Sequence, residues 1–210
     1  MNYTKIDIEN WERRDLFRLY TTDLKLVMNA TVDIDVTNLI RYKREHNLRF
    51  YPLMMWVVSK RINARDEFKY AFDENGDLIR WDFVSPSYTD FNEETETFVK
   101  FVTEYSPDLK TFHDRAVADM EAHKHERGFL PDQPKNFFDI SCLPWIHFNT
   151  LDVRVYDQGL SLFPIVIWGK YREENGRYLL PVMFNLHHAV GDGFHFSRFF
   201  TDLQDEINAL

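Results

Sequence analysis

The stretch NLHHAVGDGFHFSRFF, residues 185–200, crowds three imidazoles and a carboxylate between two glycines. His187 and His188 are adjacent, Asp192 follows four residues after the second, and His195 stands three further on. Histidine is the side chain whose ordinary pKa lies nearest neutrality, so it can take a proton from a hydroxyl or thiol and return it. Such a cluster fits three readings: a metal site, a catalytic base, or a well-satisfied structural turn.

The pattern around it weighs on each reading. In VMFNLHHAV the side-chain period is two, placing Val182, Phe184, Leu186 and His188 on one face and Met183, Asn185 and His187 on the other. Two neighbouring histidines on opposite faces of a strand cannot both ligate one ion, and no Cys or His-x3-His spacing supplies the three or four ligands zinc needs. We therefore expect no metal. In the structural reading, His188 is a satisfied core histidine and Asp192 a helix N-cap. In the catalytic reading, His188 is the base at the end of an apolar strand face, with Asp192 in a turn that Gly191 and Gly193 permit through positive φ. Spacing alone leaves these two open.

The elements that would position the cluster are legible in outline. Phe196, Phe199, Phe200, Leu203, Ile207 and Leu210 recur at helical spacing, so an amphipathic helix closes the chain. NWERRDLFRLY reads as a short amphipathic helix, and NATVDIDVTNLI as a strand running into a helix capped near Thr37. FYPLMMWVVSKRINAR reads as a largely buried helix with Pro52 in its first turn. FKYAFDENGDLIRWDFV and IVIWGKYREENGRYLLPVMFNL each put Asn-Gly between apolar runs, a strong hairpin signal. SPDLKTFHDRAVADMEAHKHERG predicts a polar helix opened by Ser106 and Pro107 and closed by Gly128, and His147 falls in a strand-like run. The fold class is α+β: a mixed, largely antiparallel sheet covered by helices.

Composition limits the function. The 210 residues fit a single domain over 1–210, with no linker, repeat or low-complexity tract. A net charge of −9 argues against general nucleic-acid binding, which needs a basic face to meet phosphates. One cysteine, Cys142, excludes an intramolecular disulfide. MNYTKIDIENWERRD lacks the apolar segment of a signal peptide, and PLMMWVV and LFPIVIW are too short to span a bilayer; we expect a cytoplasmic protein with no membrane partner. Phe 19, Tyr 10 and Trp 5 favour ring-lined pockets.

The histidine stretch does not stand alone. HHAVGDGFH, together with NYTKIDIENWERRDLF, RFYPLMMWVVSKRINARDEF, RWDFVSPSYTDFNEETETF, FDISCLPWIHF and WGKYREENGRYLLPV, resembles the trimeric, histidine-dependent chloramphenicol acetyltransferases in order and spacing from residue 2 to the final helix. The resemblance implies the CoA-dependent acyltransferase fold, acetyl-CoA as co-substrate, no metal, and a homotrimer with sites at subunit interfaces. It implies that His188 is the general base and that Ser141 stabilises the tetrahedral oxyanion, with Asp192 and Arg13 an ion pair bracing the base. Trp145, Tyr171, Lys170 and Tyr51, with Arg49 nearby, match positions near acetyl-CoA. Tyr20, Phe98 and Val155 match positions lining the drug pocket. His187 and His195 match neither role; His195 is expected to cap or line the last helix. By themselves, Arg13 would read as a solvated helix charge and Trp145 and Tyr171 as core aromatics. The chain departs from the family at Gly191, where a cysteine is usual, at Ile167, where well-known members carry a threonine, and at Leu19, Leu130 and Leu151, often aromatic there. These departures keep two alternatives in view: the same chemistry on another small hydroxyl acceptor, and a non-catalytic oligomeric binding protein of the same fold.

Overall fold

The computed structural model describes residues 2–154 and 161–210. In chain order the elements are β1 (Tyr3–Lys5), α1 (Arg14–Arg18), β2 (Val27–Asp35), α2 (Thr37–Glu45), α3 (Phe50–Asn63), β3 (Tyr70–Phe72), β4 (Leu78–Trp81), β5 (Ser85–Asn92), β6 (Thr97–Val102), α4 (Leu109–His123), β7 (Gly128–Phe129), β8 (Phe137–Cys142), β9 (Ile165–Trp168), β10 (Arg172–Glu174), β11 (Arg177–His187) and α5 (Gly193–Asn208). Single wider or tighter helical turns lie at Ile8–Asn10, Leu19–Asp23 and Asp66–Phe68.

The main sheet runs β10-β11-β9-β8-β5-β6-β7, with β2 on the other side of β11. β11 pairs antiparallel with β2, β9 and β10, and β5 with β6; β5–β8, β8–β9 and β6–β7 are parallel. A small antiparallel sheet, β1-β4-β3, sits apart. The architecture is the mixed, largely antiparallel α+β arrangement the pattern predicts.

Strand alternation divides the main sheet into two faces. Phe138, Ile140, Val166, Trp168, Val182, Phe184 and Leu186 join the main core with α3 and α5. On the opposite face Ile165, Ile167 and Met183 form a second, smaller core under Phe148, Leu151 and Val153. α3 is buried nearly all round, as its continuous apolar run requires. α5 lays Phe199, Phe200, Leu203 and Ile207 on the sheet, Phe199 stacking on Phe184 at 4.0 Å. Both Asn-Gly hairpins form: Gly76 turns β3 into β4, and Asn175 and Gly176, both at positive φ, turn β10 into β11.

Several expectations are corrected. α4 starts at the Asp108 side chain, which accepts from the Thr111 amide, and ends at His123; Gly128 lies in β7. It also buries Phe112, His113, Ala116 and Met120, so it is not simply polar. The start of α2 is held by Asp35, whose carboxylate accepts from both the amide and hydroxyl of Thr37. Val32 is exposed rather than joining Ile34 in the core. His147 sits in a loop, not a strand, bonded to the Lys170 carbonyl and to Arg172.

Candidate active site

β11 ends at His187, and His188 is the first residue of the turn beyond it. His187 is 2% exposed, and its Nδ1 accepts from the Ala189 amide, a structural use of the ring. His188 is half-buried. Its amide donates to the Leu26 carbonyl at 2.8 Å, and its ring stacks on Tyr20 with centroids 4.1 Å apart and planes 15° from parallel. Its Nδ1 is buried with no hydrogen-bond partner among the described residues.

Arg13 fixes the turn from below. Nε donates to the Ala189 carbonyl at 2.8 Å and Nη2 to the His188 carbonyl at 2.9 Å, while Nη1 reaches Asp192 only at 3.5 Å. The guanidinium is 12% exposed, so it is no solvated helix charge. The expected ion pair is therefore the weaker half of the brace: two charge-assisted bonds to carbonyls carry it. Asp192 caps α5, accepting from the Phe194 amide, and His195 completes a capping box, its Nδ1 accepting from the Asp192 amide at 3.4 Å, while its Nε2 reaches Glu67 at 3.2 Å. Burial pushes the Asp192 carboxyl up, but His195 and the helix amides outweigh it and hold the group below the usual carboxylate range. Gly191 and Gly193 do not use positive φ. A Cβ at Gly191 would meet only the end of the Leu186 side chain, at 2.9 Å.

A second centre lies across the sheet. A cleft of about 720 Å³ opens where β8 ends, lined among others by Tyr51, Phe91, Phe98, Ser141, Cys142 and Trp145. Phe91 and Phe98 face each other across β5–β6, and Phe91 meets the Trp145 ring edge-on at 4.9 Å. Trp145 is 56% and Phe98 45% exposed, so these rings are not core aromatics. Tyr51 is the exception: its hydroxyl donates to the Thr89 carbonyl, and burial pushes its pKa well up, leaving a neutral phenol under the cleft. Burial likewise pushes the Cys142 thiol up to about 12. Tyr171 packs on Phe50, which also lines the cleft, and the Lys170 amide bonds the Ile146 carbonyl beside Trp145.

The two centres are far apart within one chain. Ser141 is in register with Ile167, and Ile167 with Met183. Two strand spacings sideways and five residues onward to His188 make a separation of roughly 19 Å. One chain cannot bring both side chains to one reacting atom.

The sequence profile of the family described as chloramphenicol acetyltransferase matches residues 1–204. The chain belongs to that family. A chloramphenicol acetyltransferase of Clostridium butyricum is 34% identical over 98% of this chain and 94% of its own. Chloramphenicol acetyltransferase 3 of Escherichia coli is 37% identical over 100% of this chain and 99% of its own. Among solved structures, a chloramphenicol acetyltransferase superposes with a TM-score of 0.87 at 20% identity, covering 98% of this chain and 100% of that one. The dihydrolipoamide acetyltransferase of Azotobacter vinelandii does so at 0.69 and 17% identity, covering 92% and 86%. Both share the fold.

Against the family expectations, Tyr51, Phe98, Ser141 and Trp145 share one cleft, with Tyr171 and Lys170 at its margin. Tyr20 does not join Phe98; it lies on His188 at the other centre. Val155 falls outside the described residues. Phe50 and Phe91 were not singled out from the sequence; the aromatic at each end of FNEETETF was the available signal for Phe91. Among the described residues no group of three or more His, Cys, Asp or Glu gathers to hold a metal, and no helix is long and apolar enough to cross a membrane.

Proposed function

We propose that the protein transfers the acetyl group of acetyl-CoA to the primary hydroxyl of chloramphenicol, in a homotrimer whose sites pair His188 of one copy with the Ser141 cleft of the next. The roughly 19 Å separation within one chain carries this reading. It makes two half-sites of the molecule, and a cyclic assembly through a heterologous interface supplies each half with its complement. The aromatic cleft suits the donor, with Trp145, Tyr171, Tyr51 and Lys170 against the pantetheine and nucleotide, and Phe98 of one copy with Tyr20 of the next suits the aryl acceptor. The chain acts as a single unit over 1–210, in the cytoplasm.

His188 takes the proton of the acceptor hydroxyl as its oxygen attacks the thioester carbonyl. Ser141 donates a hydrogen bond to the oxyanion, an interaction worth about 3–4 kcal/mol of barrier. Collapse breaks the carbon–sulfur bond, and the departing thiolate takes the proton back from His188. Arg13 and Tyr20 keep the imidazole oriented throughout. A different small hydroxyl acceptor is the second reading, favoured by Ile167, which is buried beside Ser141 where it offers no polar atom.

The test is thiol release from acetyl-CoA by purified protein with chloramphenicol and with its 3-deoxy analogue. Release with the drug alone is expected. Release with neither, while acetyl-CoA binds, moves the acceptor elsewhere; no release and no acetyl-CoA binding overturns the enzyme reading.

A further inference from the structure

The small sheet β1-β4-β3 carries a cavity that neither half-site uses. It holds about 380 Å³, and its walls include Tyr3, Phe72, Asp73, Ile79 and Trp81. The ladder explains the grouping. Tyr3 is opposite Trp81 and Lys5 opposite Ile79, and the Asp73 amide bonds the carbonyl of Asp77, two residues before Ile79. Residues opposite one another, and those two apart along a strand, share a face. Tyr3, Lys5, Asp73, Ile79 and Trp81 therefore stand on one side of this sheet.

A polar group at each end of that face is unsatisfied. The Asp73 side chain is 8% exposed, and its Oδ1 accepts from the amides of Asn75 and Asp77. Its Oδ2 is buried with no hydrogen-bond partner among the described residues; Lys5 Nζ stands 3.7 Å away and is bonded to Asp77 at 2.6 Å instead. Burial pushes this carboxyl up, but the Asp77 and Asn75 amides and Lys5 outweigh it and hold it below the usual carboxylate range. Asp73 is thus charged at neutral pH. Four residues along β4 from Asp77, Trp81 Nε1 is also buried without a partner, while its ring meets Tyr3 edge-on at 5.3 Å. Buried donors and acceptors left unpaired cost a fold stability. A ligand that meets both removes that cost.

The chemistry of such a ligand follows from the walls. A carboxylate oxygen calls for a charged donor, and ring faces favour a cation over an anion. Lys5, 57% exposed, is a flexible cover that an entering ammonium can push aside. The indole N–H calls for an oxygen acceptor at the far end. Four residues of strand span about 13 Å and two hydrogen bonds take about 3 Å each, leaving roughly 7 Å between the ligand's nitrogen and its oxygen.

We infer that this cavity is a binding site for a small organic ammonium with a ring for a body and an oxygen at the other end, Asp73 Oδ2 accepting from the ammonium and Trp81 Nε1 donating to the oxygen. The site shares no residue with the His188 turn or the Ser141 cleft and stands independently of the acetyltransferase reading.

The experiment is titration calorimetry of the assembled protein with three probes. Tyramine has the ammonium, the ring and the oxygen; phenethylamine lacks the oxygen; 3-(4-hydroxyphenyl)propionate carries a carboxylate in place of the ammonium. Wild type is expected to bind one tyramine per chain, about tenfold tighter than phenethylamine, and not to bind the propionate. Asp73→Asn keeps Oδ1 for the two amides and loses the charge, so both amines should bind about tenfold or more weakly, with circular dichroism and oligomer mass unchanged. Trp81→Phe keeps a ring on the wall and loses the N–H, so tyramine and phenethylamine should bind equally. If that variant fails to fold, the wild-type comparison of the two amines carries the same point. No saturable tyramine binding, propionate binding as tight as tyramine, equal binding of both amines by wild type, or undiminished tyramine binding by Asp73→Asn each overturns the site.

Discussion

The turn at His188 and the cleft at Ser141 are built on opposite plans. Around His188 the backbone is held by directed bonds: Leu26 and Arg13 fix the main chain, Tyr20 stacks on a ring whose Nδ1 has no hydrogen-bond partner among the described residues, and Asp192 and His195 cap the start of the helix that follows. Around Ser141 the walls are exposed rings with few hydrogen bonds among them. A general base needs one orientation, and polar contacts with fixed geometry supply it. A cleft that takes a long, flexible donor gains more from aromatic area than from directional bonds. On the proposed reading, the difference locates precision in one half-site and capacity in the other, and their meeting across copies would make a complete site.

That contrast can be broken from either side. His188→Ala is expected to lower kcat roughly ten-thousand-fold, near the upper end for a general base, with circular dichroism and oligomer mass unchanged. Ser141→Ala should cost about a hundred- to a thousand-fold in kcat and leave acetyl-CoA binding within twofold. Next comes the brace. Arg13→Lys cannot reproduce two parallel bonds to carbonyls, so kcat should fall about tenfold, more than in Asp192→Asn, because Arg13 touches Asp192 only at 3.5 Å. The reverse order would make the ion pair the true brace. A smaller effect tests the electrostatics of the cap. The folded Asp192 carboxyl lies below its usual range, so its stabilising contribution is present above about pH 4, the unfolded value, and fades as pH falls further. The difference in Tm between wild type and Asp192→Asn should therefore shrink on acidification and persist at neutrality. The smallest concerns Cys142: with its thiol pushed up to about 12, alkylation at neutral pH should be slow, and acetyl-CoA should slow it further.

What the sequence revealed follows the range of the interactions. The hairpins at Gly76 and Gly176, the buried α3 and the stripe of α5 rest on local rules, and all four are where the pattern puts them. The capping role of Asp192 and His195 is equally local, and it forms. Arg13 was different: by itself it read as a surface charge, because its partners at His188 and Ala189 are brought to it only by the folded sheet. The glycines around Asp192 show the same limit, since neither Gly191 nor Gly193 takes the positive φ that their residue type suggests. The division of the family's drug-pocket positions, with Tyr20 at one centre and Phe98 at the other, depends on strand order and register. Residue types cannot give that.

The most direct measurement is complementation between inactive variants. His188→Ala and Ser141→Ala chains, each nearly inactive alone, are unfolded, mixed in equal amounts and refolded together, and thiol release is compared with wild type treated the same way. If each site draws its base and its oxyanion donor from different copies, random assembly makes intact sites at roughly one interface in four, and about a quarter of wild-type activity returns. No recovery from mixed oligomers of the right mass would place both groups within one chain and contradict the account.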